Sequence, residues 1–188
     1  MPVSTSPAVR LADWRALAHP SITAGGLVLR PWRPDDVDVV VRAYQDPAIQ
    51  RWHVQDKTPD EARAWIAGWP RRWEAGTGAD WAVTDPADQV LGRIGLRTVD
   101  LFEGEAEVAY WVLPEHRGAG VAARAADALA TWLAGVGVHR VALRHSTRNP
   151  WSCQVAERAG FAWEGTLRRA GRHADGVHDM HLHARVTV

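Results

Sequence analysis

A short glycine-containing stretch, Pro114-Glu115-His116-Arg117-Gly118-Ala119-Gly120-Val121-Ala122, joins an apolar run to an alanine-rich segment. Gly118 and Gly120 lack the Cβ atoms that would hold a ligand away from the backbone. Where such a loop opens a helix, successive backbone N–H groups can converge on an anion, which the helix dipole also favours. The stretch therefore predicts a phosphate-binding loop whose natural ligand is a pyrophosphate.

The segments on either side of this loop predict a strand before it and a helix after it. Glu105 to Leu113 is a β-like run that ends at Pro114. Gly120 to Gly135 is rich in alanine and leucine at helical spacing. A strand, a glycine-containing loop and a helix therefore follow one another directly.

More distant segments complete an order of strands and helices. Prolines near helix starts, a capping-box pattern and turn clusters mark the boundaries. In chain order, the remaining predicted elements are a strand at Gly26 to Trp32, a helix from Pro34 to near Asp46, a helix from Thr58 that Pro70 kinks or ends, an antiparallel hairpin of Asp80 to Thr84 and Gln89 to Thr98, a strand at Arg140 to Ser146, a helix at Asn149 to Ala159, and strands at Phe161 to Arg168 and Asp179 to Val188. This order predicts an α/β (α+β) fold, a mixed sheet with helices on both faces.

Length and charge limit what the chain can be. Its 188 residues fit one domain, which we assign to residues 26–188 with an N-terminal extension at 1–25. Charged residues interrupt every apolar stretch of that extension, so we expect neither a signal peptide nor a membrane span. The formal net charge of zero disfavours nucleic acid and anionic membranes as partners. With one cysteine, Cys153, the chain fits a reducing cytoplasm, and we expect a small-molecule or peptide partner.

The chain contains 11 tryptophans, which is many for its length. Trp65, Trp69 and Trp73 recur every four residues and so share one helix face. We interpret them as a core or subunit-contact stripe in preference to a substrate-stacking wall. The tryptophan excess also leaves a homodimer open.

The glycine-containing loop has a second interpretation as a dinucleotide site. Gly118, Gly120 and Ala123 fit the GxGxxA fingerprint of nicotinamide and flavin enzymes. That fingerprint also requires an acidic residue about twenty positions further on. The segment Val141 to Arg144 has none, so an NAD(P)-binding oxidoreductase is disfavoured.

As an RxxGxA pattern, Arg117 to Ala122 resembles the coenzyme A pyrophosphate loop of the GNAT N-acetyltransferase superfamily. Four further segments, in family order, resemble the RimJ/RimL-like branch that acetylates ribosomal-protein N-termini: Leu29 to Trp32, Ala106 to Val112, Asn149 to Ser152 and Glu157 to Phe161. The resemblance implies the GNAT fold, a mixed, mostly antiparallel sheet of about seven strands. It also implies acyl transfer from acetyl-CoA to a primary amine. An acyl-CoA-binding sensor without turnover remains open.

The resemblance also implies a cofactor site. Acetyl-CoA is expected to contact the loop through Arg117, Gly118, Ala119, Gly120, Val121 and Ala122. Its pantetheine arm is expected to follow a splayed strand at Tyr110, Trp111 and Val112. Asn149 is expected to form a hydrogen bond with the same arm. Capping of the helix is a sufficient alternative explanation for an asparagine at this position.

Glu107 and Ser152 are the candidate catalytic residues. Glu105 and Glu107 share one face of the predicted strand, where either carboxylate or a water could take the amine proton. The resemblance favours Glu107. The alternative that Glu105 and Glu107 are both solvated charges on an exposed face stays open. The resemblance assigns to Ser152 the proton for the leaving thiolate, because Ala156 replaces the tyrosine that often supplies it. Cys153 is interpreted as a small helix residue.

The resemblance builds the acceptor site from the first two helices, the connection from Asp46 to Thr58 and the final hairpin. These parts supply Trp52, His53, Trp65 and Trp69, and we add Glu105 to the candidate acceptor-binding residues. A peptide, an aromatic amine or a hydrophobic antibiotic would suit this lining.

Three histidines near the C-terminus resemble a metal motif. On a strand, however, His178 points to the opposite face from His181 and His183. We therefore expect no metal.

Overall fold

The computed structural model describes residues 5–53 and 56–187. Its helices are α1 (Leu11–Ala16), α2 (Val37–Gln45), α3 (Pro47–His53), α4 (Pro59–Glu74), α5 (Val121–Gly135) and α6 (Pro150–Arg158). Its strands are β1 (Ile22–Ala24), β2 (Leu27–Pro31), β3 (Ala79–Thr84), β4 (Val90–Asp100), β5 (Glu105–Val112), β6 (Arg140–Ser146), β7 (Ala162–His173) and β8 (Gly176–Val186). Among these described helices, none combines the length and apolar character needed to cross a bilayer.

The strands form one sheet in the order β1-β2-β3-β4-β5-β6-β8-β7. All neighbouring pairs are antiparallel except β5 and β6, which run parallel. The mixed, mostly antiparallel sheet is as predicted. It has eight strands in place of about seven, because Ile22–Ala24 pairs with β2. A three-residue strand is too short to show the alternation from which strands are predicted.

The described part of the predicted N-terminal extension packs on the sheet. Trp14 of α1 is fully buried, its ring stacks on Trp73 with centroids 4.3 Å apart, and its Nε1 donates to the Trp73 carbonyl at 3.1 Å. Strand β1 then adds to the sheet edge. The boundary between extension and domain at residue 26 stays a prediction.

Two features between α2 and β3 differ from the sequence expectation. The region after α2 contains a helix, α3, whose start is capped by the Asp46 carboxylate accepting from the Ile49 amide at 2.9 Å. Helix α4 does not end at Pro70 but continues to Glu74. A proline inside a helix costs about 3 kcal/mol. Burial of Trp69 and Trp73 on either side offsets it by a similar amount.

The two faces of the sheet carry separate cores. One core lies under α5 and α6 and includes Leu129, Leu133 and Trp73. The other lies under α2 and α4 and includes Trp69 and Trp111. The tryptophan stripe on α4 is therefore core, as favoured above, except that Trp65 is only half-buried.

The sheet opens in its middle, between β5 and β6. Their parallel pairing covers only Glu105–Val108 on β5, opposite Arg140–Leu143 on β6. Beyond Val108, β5 follows β4 up to Val112, whereas β6 follows β8 up to Ser146. The two strands therefore part, and in the part of the chain that the structure describes this edge of β5 has no strand beside it from residue 109 to residue 112.

Candidate active site

The loop before α5 presents its backbone amides without partners. Gly118 and Gly120 have φ angles of +81° and +73°, which L side chains rarely adopt, and a Cβ at either would meet no atom within 4 Å. The first amide of α5 that bonds backward is that of Arg124, to the Gly120 carbonyl at 3.1 Å. Within residues 5–53 and 56–187, no amide from Gly118 to Ala123 has an acceptor. This arrangement fits a pyrophosphate at the start of a helix.

The Arg117 side chain holds this loop in place. Its Nε donates to the Val112 carbonyl at 3.1 Å, and its guanidinium pairs with the Asp46 carboxylate at 2.8 Å. Partial burial of Asp46 opposes ionisation, but Arg117 and the Ile49 amide outweigh it and lower the pKa of the carboxyl. Arg117 thus ties the loop to β5 and to the start of α3. Its own amide donates to the Pro114 carbonyl at 3.3 Å, so the free amides of the loop begin at Gly118.

The open edge of β5 is occupied by side chains in this structure. The Tyr110 carbonyl accepts from His53 Nε2 at 2.8 Å, and the Val112 carbonyl accepts from Arg117. N–H and C=O groups of one strand residue point to the same side, so Tyr110 and Val112 both face the gap. Trp111, the residue between them, is 3% exposed and belongs to the core under α2 and α4. Tyr110 and Val112 thus come together with the loop, whereas the Trp111 side chain does not.

A hydroxyl pair spans the gap between β5 and α6. The Tyr110 hydroxyl donates to Ser152 Oγ at 2.9 Å. Burial raises the pKa of Tyr110 to about 12, so its proton stays on the oxygen at neutral pH. The Tyr110 hydroxyl was not predicted as part of the site. Strand alternation from Ala106 and Val108 indicated the face it points to, but no sequence signal placed that face against Ser152.

Asn149 and Ala156 complete the α6 side. The Asn149 Oδ1 accepts from the Ser152 amide at 3.3 Å, so this side chain caps α6. Within the described residues its side-chain NH₂ donates to no acceptor, which leaves a donor for a ligand amide. Ala156 is fully buried in the core, so this position offers no hydroxyl.

The two candidate carboxylates on β5 have different surroundings. Glu107 is 6% exposed, its Oε2 pairs with Arg144, and its Oε1 lies 3.7 Å from Arg97. Glu105 is exposed at the far end of β5, 3.6 Å from Arg140, where β5 and β6 are still paired. Both carboxylates lie on one strand face, as predicted. The structure brings Glu107 nearer to the gap and leaves Glu105 away from it.

Three of the predicted acceptor residues, Trp52, His53 and Trp65, lie on α3 and α4, whereas Glu105 lies away from them at the paired end of β5. Trp52 packs edge-on against His173 of β7, with centroids 5.7 Å apart, and Trp65 packs edge-on against Trp32 at 5.5 Å. Burial, with a smaller contribution from Arg93, lowers the pKa of His53 to about 3, so His53 is neutral. A cavity of about 400 Å³ between α3 and the β7–β8 turn is lined by Pro47, Gln50, Arg51, Ala174 and Asp175.

Three features occur together in this structure: the parted strands, the loop of free amides and the α6 hydroxyl. This combination is characteristic of the GNAT class. The chain belongs to this family: the acetyltransferase (GNAT) domain matches residues 26–162. The resemblance inferred from the sequence is therefore confirmed.

Individual relatives carry related names. The chain is 34% identical over 100 residues to a ribosomal-protein-serine acetyltransferase of Escherichia coli, covering 53% of this chain and 56% of that protein. It is 33% identical over 90 residues to the putative ribosomal N-acetyltransferase YdaF of Bacillus subtilis, covering 47% and 49%. The matches thus span about half the length of these curated relatives.

A solved structure supports the fold over nearly the whole chain. It is that of RimL, a ribosomal L7/L12 α-N-protein acetyltransferase, in complex with coenzyme A. The TM-score is 0.81 at 20% identity, covering 89% of this chain and 98% of that one.

Proposed function

We propose that the protein transfers an acetyl group from acetyl-CoA to a primary amine by direct attack on the thioester. The observation that carries this proposal is the meeting, at one gap in the sheet, of the free amides of Gly118 to Ala123 with the open edge of β5. The amides suit the diphosphate, and the strand edge suits an extended amide-containing arm. When bound, acetyl-CoA supplies the activated acyl carbon.

Binding of the donor requires a rearrangement at β5. His53 Nε2 now holds the Tyr110 carbonyl at 2.8 Å, which is the group that a pantetheine amide would bond. His53 is the last residue of α3, so a small movement of this helix end would free the carbonyl. The free Asn149 NH₂ on the opposite wall supplies a second hydrogen bond to the same arm.

Tyr110 and Ser152 together supply the proton for the departing thiolate. The Ser152 hydroxyl faces the gap and receives a hydrogen bond from Tyr110, whose proton is firmly held until a strong base develops beside it. A thiolate is such a base. As the C–S bond breaks, Ser152 would pass its proton to the sulfur and take one from Tyr110, and the tyrosinate left behind would regain, through solvent, the proton that the attacking amine releases.

Glu107 remains the proposed general base. Arginines face both of its oxygens, so it would act through a water and not by direct contact with the amine. Glu107 lies three positions before Tyr110 on β5, a distance of roughly 10 Å along the strand, which leaves room for that water.

The amine acceptor is proposed to enter between α3 and the β7–β8 hairpin. Two curated relatives are named for ribosomal proteins, which makes a protein N-terminus one candidate. The Asp175 carboxylate at the cavity rim pairs with Arg148 at 3.1 Å and with His178 at 2.9 Å, and it would have to exchange one of these partners to hold the ammonium group of a primary amine. A cytoplasmic location, where the Cys153 thiol stays reduced, and a homodimer remain proposals.

The test combines binding with turnover. Calorimetry with coenzyme A, acetyl-CoA and NAD(P) should show binding of the first two only. Thiol release should then be followed with an N-terminal serine peptide, free amino acids and polyamines as acceptors. We expect saturable turnover with at least one class. Tight acetyl-CoA binding without transfer to any amine would favour the sensor function, and preferential NAD(P) binding would overturn the assignment.

A further inference from the structure

Four side chains with metal-ligand atoms meet beneath α6: His145 of β6, His181 and His183 of β8, and Cys153 of α6. One ligand atom from each lies within 4.8 Å of the other three. The sheet register explains the assembly, because His145 stands directly opposite His181, and His183 is two residues further along the same face. We propose that these residues form a closed, four-coordinate zinc site.

The distances agree with tetrahedral coordination. His183 Nε2 lies 3.4 Å from His145 Nε2 and 3.6 Å from Cys153 Sγ. For Zn–N bonds near 2.05 Å and a Zn–S bond near 2.3 Å, tetrahedral edges are about 3.3 Å between nitrogens and about 3.6 Å from nitrogen to sulfur. The distances from His183 to His145 and to Cys153 are therefore already at coordination spacing, and the other pairs lie within 4.8 Å. His181 is only half-buried and is free to close the remaining distance.

The hydrogen bonding of His145 also suits a metal. His145 Nδ1 donates to the Ser146 carbonyl at 2.9 Å. This bond directs the Nε2 lone pair into the cluster, as the outer partner of a ligating histidine does.

The donor set selects the metal and its role. Imidazoles with one thiolate suit zinc in preference to magnesium or calcium, which take oxygen ligands. Four protein ligands leave no open position, so the ion would be structural. It would tie the first turn of α6 to β6 and β8, and Ser152 is adjacent to the ligand Cys153. The site differs from the three-histidine motif considered in the sequence: His178 is bonded elsewhere, to Ser146 Oγ at 2.8 Å.

Cobalt(II) titration of the metal-free full chain tests this proposal, because cobalt reports on its ligands. We expect one equivalent to bind, with an intense tetrahedral visible band and a near-ultraviolet thiolate-to-cobalt band. Zinc should then displace the cobalt and raise the melting temperature, since it binds the folded state. Absence of saturable binding, or a spectrum without the thiolate band, would overturn the site.

Two ligand variants and one control refine the test. Cys153→Ser should abolish the thiolate band and weaken zinc binding about 100-fold, and His181→Gln should weaken it at least about 10-fold. His139→Gln replaces an exposed histidine outside the cluster and should leave the spectrum and affinity unchanged. Circular dichroism of the metal-free variants verifies their folding. If Cys153→Ser kept the parent spectrum, or His139→Gln lost it, the assignment would be wrong.

Discussion

The two sides of the gap in the sheet differ in how their polar groups are bonded. On the donor side, the amides of Gly118 to Ala123 have no acceptor within the described residues. On the acceptor side, Glu107 faces two arginines and His53 donates to the Tyr110 carbonyl. Nearby, the buried Asp80 carboxylate accepts from Trp32 and from Arg93, each at 2.8 Å.

The two sides therefore differ in whether a ligand can bind without breaking an existing hydrogen bond. A cradle of free backbone amides can receive an anion without breaking an existing bond. A surface of paired side chains has to exchange partners before it can bind or take a proton. We therefore expect substitutions on the donor side to act mainly on coenzyme A affinity. Substitutions of paired side chains should act on turnover and on pH dependence.

The largest expected effect is on the donor side, from Gly120→Val. A β-branched residue at a φ of +73° is strained, and its side chain would occupy the space that an anion needs. We expect coenzyme A affinity to fall about 100-fold, which is roughly 2.7 kcal/mol. Calorimetry measures it.

Gly160→Val is the matched control for that change. Gly160 has a φ of +76° and open space around its Cβ position, but it ends α6 and is not part of the loop. The Gly160→Val variant should lose about as much thermal stability as the Gly120→Val variant, and it should keep its affinity for coenzyme A. Equal affinity in all three proteins would show that the loop is not the cradle.

The next effect concerns the pair of hydroxyl groups, Tyr110 on β5 and Ser152 on α6, that spans the gap. Tyr110→Phe removes the donor to Ser152 and should lower kcat about 10- to 100-fold, with little change in coenzyme A affinity. Ser152→Ala should have a similar effect. The double variant should be no slower than the slower single variant, because both act in one relay. Additive losses would argue against the relay.

A smaller effect is expected for the candidate base on the paired side. Glu107→Gln should lower kcat/KM about 10-fold. Glu105→Gln changes the same residue type on the same strand face, but at the end where β5 and β6 are paired. It should leave kcat/KM unchanged. An effect of Glu105→Gln equal to that of Glu107→Gln would remove Glu107 from the mechanism.

The smallest expected effect is on the pH dependence of stability. His53 titrates near 6.5 when unfolded and at about 3 when folded, so the unfolded chain binds more protons between these values. Its contribution is therefore complete above pH 6.5 and is lost as pH falls towards 3. His53→Gln keeps an N–H donor for Tyr110 without titrating. When the pH falls from 7 to 5, the unfolding free energy of the His53→Gln variant should fall by about 1 kcal/mol less than that of the parent. This figure allows for the partial exposure of His53.

Denaturant unfolding at the two pH values measures this difference. The exposed His139→Gln serves as the control and should follow the parent chain. A parent-like slope in His53→Gln would show that His53 is already solvated in the folded state.

Features of the fold were predictable where neighbouring residues in the sequence mark them. The loop from Arg117 to Ala122 and strand β6 were predicted well, because glycine, proline and alternation are local features. Strand β1 and the passage of α4 through Pro70 were not. The first is too short for a pattern, and the second depends on the burial of Trp69 and Trp73, which outweighs a local helix breaker.

The sequence by itself determined the order of the seven longer strands and of helices α2, α4, α5 and α6, the glycine-containing loop before α5 and membership of the GNAT family. Each rests on neighbouring residues or on a pattern in register along the chain. Only the tertiary structure decided where β5 and β6 part, that Tyr110 reaches Ser152, and that His145 and Cys153 join His181 and His183. These contacts join residues dozens of positions apart. Their spacing is set by strand register and helix packing, which no local propensity encodes.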